Sequence, residues 1–349
     1  MPESSNIAQA VCGRHTDGAT RLALIEIRNG GSHNTCTFGA LDYLSDKFAN
    51  VLVSAGVRAG DKVAVALPQS AALPISHLGA LKIGAVVVPL GPSSSDADLE
   101  LRLRGSGARA MVSENSTVAE LEPGIRQGLP ELQTIIIAND DTAGPDLKDC
   151  GCQILDFWSE VSSASSEFMT SEKTDSSTPA FIFYSSGAAE GSRGVVVGHG
   201  SLLRHVANLE MFDEMNPGDE NAVFWSAADW ASVGPLDFLY SAWYYGRPVV
   251  TSGPSTFSPA QAFSLLEQYG ITNAFIPGAE LGMMSRAEPN PQLRYTLKLR
   301  NISSGPEPVA SQAQTWGQQT LGASIKEAKE LTTSHINLDQ DMQVPSRRD

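Results

Sequence analysis

The sequence predicts an α/β fold with largely parallel sheets flanked by helices, on two observations. Short, continuous runs of Val, Ile and Ala, such as Ala85-Val-Val-Val-Pro89 and Thr134-Ile-Ile-Ile-Ala138, alternate with segments of helical periodicity. Strands without polar alternation are buried on both faces, the situation of a parallel sheet with helices on either side. The same rhythm then resumes after a Ser-rich break at 162–177, so the chain divides into two α/β parts.

Thr37 is placed to cap a helix in which Leu41, Leu44, Phe48 and Leu52 recur on one face. Gly60-Asp61 turns into a strand over 62–67, a helix over 75–83 ends at Gly84, and strands follow at 85–89, 110–113 and 134–138. In the second part strands are predicted at 180–184, 195–197, 222–225, 248–250 and 272–276. Helices are predicted at 201–212, 235–245, 259–269 and 279–286. Past Gly322 the pattern fades, and 326–349 is polar and charged. The expected organisation is a first subdomain over 1–160, a Ser-rich linker or loop over 161–178, a second subdomain over 179–322 and an irregular tail over 323–349.

A chain of 349 residues with 42% hydrophobic and 18% charged residues buries a large core. Its net charge of −15 argues against nucleic acid or an anionic membrane as a partner, since both call for basic surfaces. One local cationic loop is still enough to bind a nucleotide. The four cysteines, Cys12, Cys36, Cys150 and Cys152, lack the paired spacing of a zinc site and read as reduced thiols; no metal-ligand set is expected. The N-terminus has no basic and apolar signal segment, and the apolar runs are strand-sized. A cytoplasmic protein without a membrane span is expected.

The most informative stretch is Phe181-Ile-Phe-Tyr-Ser-Ser-Gly-Ala-Ala-Glu-Gly-Ser-Arg-Gly-Val-Val-Val197. An apolar strand leads into glycines and hydroxyls, then a cation, a glycine and a second apolar strand. Glycines let backbone N–H groups approach an anion, hydroxyls donate, and the cation neutralises charge. The spacing is not that of a Walker loop, because Ser192-Arg193 stands where Gly-Lys is required. By itself the stretch reads either as a plain hairpin or as a phosphate cradle.

Its neighbours bear on that choice. Tyr184-Ser-Ser-Gly-Ala-Ala-Glu-Gly-Ser-Arg-Gly-Val195 resembles the phosphate signature of the AMP-dependent synthetase/ligase superfamily, Tyr-Thr-Ser-Gly-Thr-Thr-Gly-x-Pro-Lys-Gly-Val, and Val197-Gly-His-Gly-Ser-Leu-Leu203 resembles its continuation. Residues 37–52, 60–67 and 79–92 are similar to the family's N-terminal subdomain. Ala227-Ala-Asp-Trp-Ala-Ser-Val-Gly-Pro-Leu236 and Trp243-Tyr-Tyr-Gly-Arg-Pro-Val-Val250 are similar to the medium-chain acyl-CoA synthetase branch. Asn273-Ala-Phe-Ile-Pro-Gly-Ala279 and Leu299-Arg-Asn-Ile-Ser-Ser-Gly-Pro-Glu-Pro308 continue in family order. The resemblance runs to about Gly322. It implies the N-terminal body of an adenylate-forming enzyme, with stacked, largely parallel sheets.

The implied activity joins ATP to a carboxylic acid, of fatty or other medium size, as an acyl-adenylate that coenzyme A then takes up, with Mg2+ on the phosphates. The resemblance assigns Ser185, Ser186, Gly187, Gly191, Arg193 and Gly194 to the phosphates. It assigns Gly305 and Glu307 to the adenine turn, Asp229 and Trp230 to the acyl pocket, and Thr332 to a nucleotide contact. Arg193 and Thr332 carry the catalytic expectation.

Departures from the pattern are equally specific. Ala188 and Ala189 stand where the family has threonines, and Glu190 puts a carboxylate beside a polyanion. Pro306 removes a backbone N–H from the adenine turn, and Thr333 falls where the family has a metal-associated glutamate, an unrelated tail being the alternative alignment. On the family pattern the chain is expected to be the body without its C-terminal lid. The departures leave an impaired enzyme, an inactive nucleotide- or acyl-binding homologue and a truncated fragment as alternatives. His199 reads as capping or packing rather than acid–base chemistry or metal binding, and Met283-Met284 as packing. Trp230 reads equally as core or as pocket lining.

Overall fold

The computed structural model describes residues 6–17, 20–28, 31–91, 94–120, 129, 131–138, 151–167, 174–184, 194–207, 219–252, 257–305 and 307–327. Within them the strands are β1 (Leu22–Ile27), β2 (His33–Thr37), β3 (Lys62–Ala66), β4 (Val86–Pro89), β5 (Ala110–Ser113), β6 (Thr134–Ile137) and β7 (Gln153–Asp156). The later strands are β8 (Pro179–Tyr184), β9 (Gly194–Gly198), β10 (Phe224–Ser226), β11 (Val249–Val250), β12 (Asn273–Phe275), β13 (Asn301–Ser304) and β14 (Ser324–Glu327).

These strands form two seven-stranded sheets, in the orders β7-β6-β5-β3-β4-β8-β9 and β14-β13-β12-β10-β11-β1-β2. Each sheet is parallel except for one antiparallel hairpin at an edge, β8/β9 in the first and β1/β2 in the second. The expected parallel α/β architecture is present, and β3 shows why the sequence announces it. Val63 and Val65 enter the largest apolar cluster while Ala64 and Ala66 enter another, so both faces of the strand are buried.

The largest cluster takes Val63, Val65, Val87 and Phe181 from the first sheet and Leu24, Phe224, Val249 and Phe275 from the second. Between the sheets lie the helices Phe38–Ser54, Ala72–Lys82 and Val233–Tyr244, which supply Phe48, Leu78 and Trp243 to the same cluster. Thr37 caps the first as expected, its Oγ1 accepting from the Ala40 N–H at 3.1 Å. Every residue of Ala72–Lys82 is buried. That helix begins before the expected 75 because Pro74 lies in its first turn, where a missing N–H costs no helical hydrogen bond.

The sheets do not divide at the Ser-rich segment. The β8/β9 hairpin lies beyond it yet completes the first sheet, through the parallel pair Val87↔Phe181. Conversely β1 and β2, from the start of the chain, join the second sheet through Leu24↔Val249. β4 is buried along its whole length, and such a strand needs a neighbour on each side. Periodicity reports that need but not which strand meets it.

Two further expectations are corrected. The irregular tail was expected from 323, but Ser324–Glu327 is a strand, parallel to β13 from Asn301↔Ser324 to Ser304↔Glu327. It is a polar edge strand whose Ile325 alone enters the core, too short an alternation to stand out in sequence. The expected linker overlaps a helix, Phe157–Ser163, capped by Asp156 Oδ1 on the Ser159 N–H at 2.7 Å. Among the described residues no helix is long and apolar enough to cross a membrane.

Candidate active site

In an open parallel sheet the loops leaving the carboxyl ends of the strands gather on one edge, where ligands bind. The candidate residues all follow such ends. Positions 185–193 follow β8, Asp229 and Trp230 follow β10, and Gly305 and Glu307 follow β13. Of the phosphate-loop group, Gly194 is described; Ser185, Ser186, Gly187, Gly191 and Arg193 lie outside the described residues, as does Thr332.

Positions 185–193 connect the two strands of a tightly closed hairpin. Tyr184 pairs with Gly194 at its mouth and Ile182 with Val196 behind it. A Cβ on Gly194 would lie 2.6 Å from Ile182 Cγ2 and 3.1 Å from Tyr184 Cζ. Only a residue without a side chain lets the two strands close there. Burial raises the Tyr184 phenol pKa above its usual range, and the Arg102 guanidinium lies 5.9 Å from its ring centre. The strands on either side of 185–193 are thus closely joined.

Directly after β9, His199 begins the helix His199–Ala207 and is fully buried. Its Nδ1 accepts from the Ile7 N–H at 3.1 Å, so it ties the N-terminal helix Ile7–Val11 to the hairpin. Desolvation pushes its pKa down to about 4, against the pull of Asp175. A neutral, wholly enclosed imidazole packs; it does not face a substrate. His205 lies in the same helix, and its side chain is outside the described set.

At the end of β13, Ser304 is fully buried, and its Oγ has no hydrogen-bond partner among the described residues. Gly305 follows with φ +150°, a backbone state that favours glycine. Glu307 is exposed. The turn is held from two sides. Glu327 Oε1, at the end of β14, accepts from the Val309 N–H at 3.0 Å, and Gly278 sits where an added Cβ would be 2.9 Å from the Pro308 carbonyl oxygen. A buried hydroxyl left unpaired beside a glycine-only turn suits a polar ligand lying on the sheet edge, since such groups are normally satisfied.

The loop after β10 sends two adjacent side chains apart. Asp229 is exposed, and its Oδ1 accepts from the Ala231 N–H at 3.3 Å. Its Oδ2 lies 3.5 Å from the place a Cβ on Gly91 would take, next to the loop leaving β4 of the other sheet. Trp230 is only 1% exposed and belongs to the central core, with its Nε1 unpartnered among the described residues. The pair therefore divides between the edge and the core. Of the two methionines, Met284 is buried and Met283 is exposed.

Beneath this loop Gln69, in the turn after β3, bonds across to the second sheet. Its Nε2 donates to the Ser226 and Ala228 carbonyls at 3.1 and 2.6 Å, and its Oε1 accepts from the Ser252 N–H at 2.8 Å. Glu26 on β1 makes a second crossing, its Oε1 accepting from the Ala71 N–H at 2.6 Å. The carboxyl edges of the two sheets thereby face each other, bringing the loops after β3, β4 and β10 together. Sequence reasoning passed over Gln69, Glu26 and Glu327, because no periodicity or spacing marks a residue whose partners are backbone groups far along the chain. Ser304 stood in the quoted turn without a role. Among the described residues no three His, Cys, Asp or Glu side chains are grouped as a metal site.

Comparison with known proteins agrees with this geometry. Over 339 residues the chain is 27% identical to the acetyl-coenzyme A synthetase of Streptomyces coelicolor, covering 91% of this chain and 50% of that protein. Over 306 residues it is 25% identical to the acetyl-coenzyme A synthetase of Bacillus subtilis, covering 86% and 51%. The chain thus spans about half the length of the curated relatives it matches. Among solved structures, a Brucella canis acyl-CoA synthetase superposes with a TM-score of 0.78 at 27% identity, over 92% of this chain and 56% of that one. An anthranilate CoA ligase crystallised with anthranoyl-AMP shares the fold, with a TM-score of 0.78 at 19% identity over 93% and 60%. The profile of the AMP-binding enzyme family matches residues 14–331, and the chain belongs to that family.

Proposed function

We propose that this chain is the nucleotide- and acid-binding body of an AMP-forming acyl-CoA synthetase that activates a carboxylic acid of fatty or other medium size in the cytoplasm. One observation carries the reading: the three groups of candidate residues all leave the carboxyl edges of the two sheets, and the edges are fastened face to face by Gln69 and Glu26. The fatty or medium-sized acid rests on the likeness of residues 227–236 and 243–250 to the medium-chain branch; the curated relatives named above are acetyl-coenzyme A synthetases.

In this reading the acid's carboxylate oxygen attacks the α-phosphorus of ATP and pyrophosphate leaves. Coenzyme A's thiol then takes the acyl group from the adenylate and AMP is released. Ser185, Ser186, Gly187, Gly191, Gly194 and Arg193 serve the phosphates; hydroxyls, backbone N–H groups and a guanidinium are suitable donors to them. Gly305 and Glu307, with the unpartnered Ser304 hydroxyl, serve the adenosine side, and Thr332 adds a nucleotide contact. Asp229 borders the acyl side from the sheet edge, and Trp230 backs it from the core. Mg2+ bound with ATP would neutralise charge on the phosphates.

A second reading, binding without turnover, is favoured by the loop itself. Ala188 and Ala189 remove two hydroxyl donors, and Glu190 adds a negative charge next to the phosphates. Each lost charge-assisted hydrogen bond costs roughly 1.5–3 kcal/mol. Exchange of labelled pyrophosphate into ATP, measured over acids from acetate to dodecanoate, separates the readings. Exchange with a medium-length acid supports the synthetase. No exchange, together with thermal stabilisation by a non-hydrolysable acyl-adenylate, supports the binder. Neither exchange nor stabilisation refutes both.

A further inference from the structure

We infer that Gln69 is a positioning residue for the acid substrate: anchored in the first sheet, it sets the place of the loop 227–230 in the second. The inference rests on the acyl-adenylate reading above, which puts Asp229 and Trp230 on the acyl side.

Gln69 is 6% exposed and spends its whole carboxamide on backbone groups of the other sheet. Its Nε2 donates to Ser226 O and Ala228 O, and its Oε1 accepts from the Ser252 N–H. The reversed amide would set an oxygen against two carbonyls, so one orientation alone satisfies all three. The partners are themselves linked: Ser226 Oγ donates to Ala228 O at 2.8 Å, and Ser252 Oγ donates to Ser226 O at 2.9 Å. Trp225 Nε1 donates to Ser252 Oγ at 2.9 Å. The network therefore ties the ends of β10 and β11 to the turn after β3.

Ala228 is the residue immediately before Asp229 and Trp230. Fixing its carbonyl fixes the peptide from which one side chain turns out toward Gly91 and the other turns into the core. The turn holding Gln69 is in turn held by Glu26 on the Ala71 N–H, so the carboxamide works from a set position. No other uncharged side chain of this length offers two donors and an acceptor in one plane. Leucine removes all three bonds. Glutamate retains the acceptor for Ser252 but loses both donors and opposes a charge to the two carbonyls.

This difference supplies the test, made on the full chain. Gln69→Leu and Gln69→Glu are compared with the unsubstituted protein by calorimetric titration with AMP and with octanoyl-sulfamoyl-adenosine, a non-hydrolysable acyl-adenylate. Amide exchange at Ser252 is followed in parallel. Both variants are expected to bind the acyl-adenylate about tenfold more weakly, with AMP affinity unchanged within about twofold. The Ser252 amide should lose protection in Gln69→Leu and keep it in Gln69→Glu. Equal weakening toward both ligands would make Gln69 a general structural support, and unchanged acyl-adenylate binding in either variant would overturn the inference. An unsubstituted chain that binds the acyl-adenylate no more tightly than AMP would instead sink the functional reading, and the positioning role with it.

Discussion

Acid should destabilise this protein from about pH 6.5 downward, because two of its histidines are buried in the neutral form. His77, on the helix between the sheets, is 1% exposed, touches Tyr240 Oη through Nδ1 at 3.3 Å and has no partner for Nε2 among the described residues. Desolvation pushes its pKa from the ordinary 6.5 down to about 3, and that of His199 down to about 4. Below pH 6.5 the unfolded chain takes up protons at both positions while the folded chain refuses them, so stability falls as pH falls. The loss continues until about pH 4 for His199 and about pH 3 for His77. Each group contributes up to about 1.4 kcal/mol per pH unit. From pH 7.5 to 5.5 the pair removes about 3 kcal/mol, and by pH 4.5 about 5 kcal/mol. That is comparable with the roughly 5–15 kcal/mol holding a domain together. His15, whose pKa burial also lowers, acts in the same direction.

Urea unfolding followed by circular dichroism at half-unit steps between pH 7.5 and 5.5 measures the slope. The Gln substitution at His77, which preserves a hydrogen-bonding group for Tyr240, should cut the slope by about half. A flat profile in the unsubstituted protein would refute the reasoning, as would an unaltered slope in His77→Gln.

Other predictions follow from single contacts. Lys82, 6% exposed, binds Asp42 Oδ1 at 2.8 Å and Asp46 Oδ1 at 2.6 Å; Lys82→Met should destabilise by about 3 kcal/mol in urea titrations, because two carboxylates lose this shared cation. That penalty should shrink as pH falls, because burial raises the Asp46 pKa above its ordinary value. Gly305→Ala, at φ +150°, should cost about 1–3 kcal/mol of stability and weaken AMP binding in the same titration; unchanged AMP affinity would detach this turn from the nucleotide. Glu190→Gly should raise nucleotide affinity or pyrophosphate exchange at least severalfold by removing a negative charge beside the phosphates, and a null result would remove Glu190 from the phosphate site.

The sequence by itself determined the α/β class, because strands buried on both faces need continuous apolar runs, and 63–66 in β3, the whole of β4 and 135–137 in β6 supply them. It determined most helices by periodicity and the Thr37 cap by residue type. It also pointed to the family, since glycines and hydroxyls at fixed spacing leave a trace that survives substitution. Short edge strands such as β14, and helices starting with buried proline, left no such trace. Only the tertiary structure decided which strands share a sheet: β4 accepts β8 from across the Ser-rich segment, and β11 accepts β1 from the start of the chain. Pairing satisfies an edge, and an edge has no local signature. Likewise only the folded chain brings Gln69 to Ser226, Ala228 and Ser252, because a side chain bonded to distant backbone places no requirement on its partners' identities. The packing of two sheets decided that the turns after β3, β4 and β10 meet.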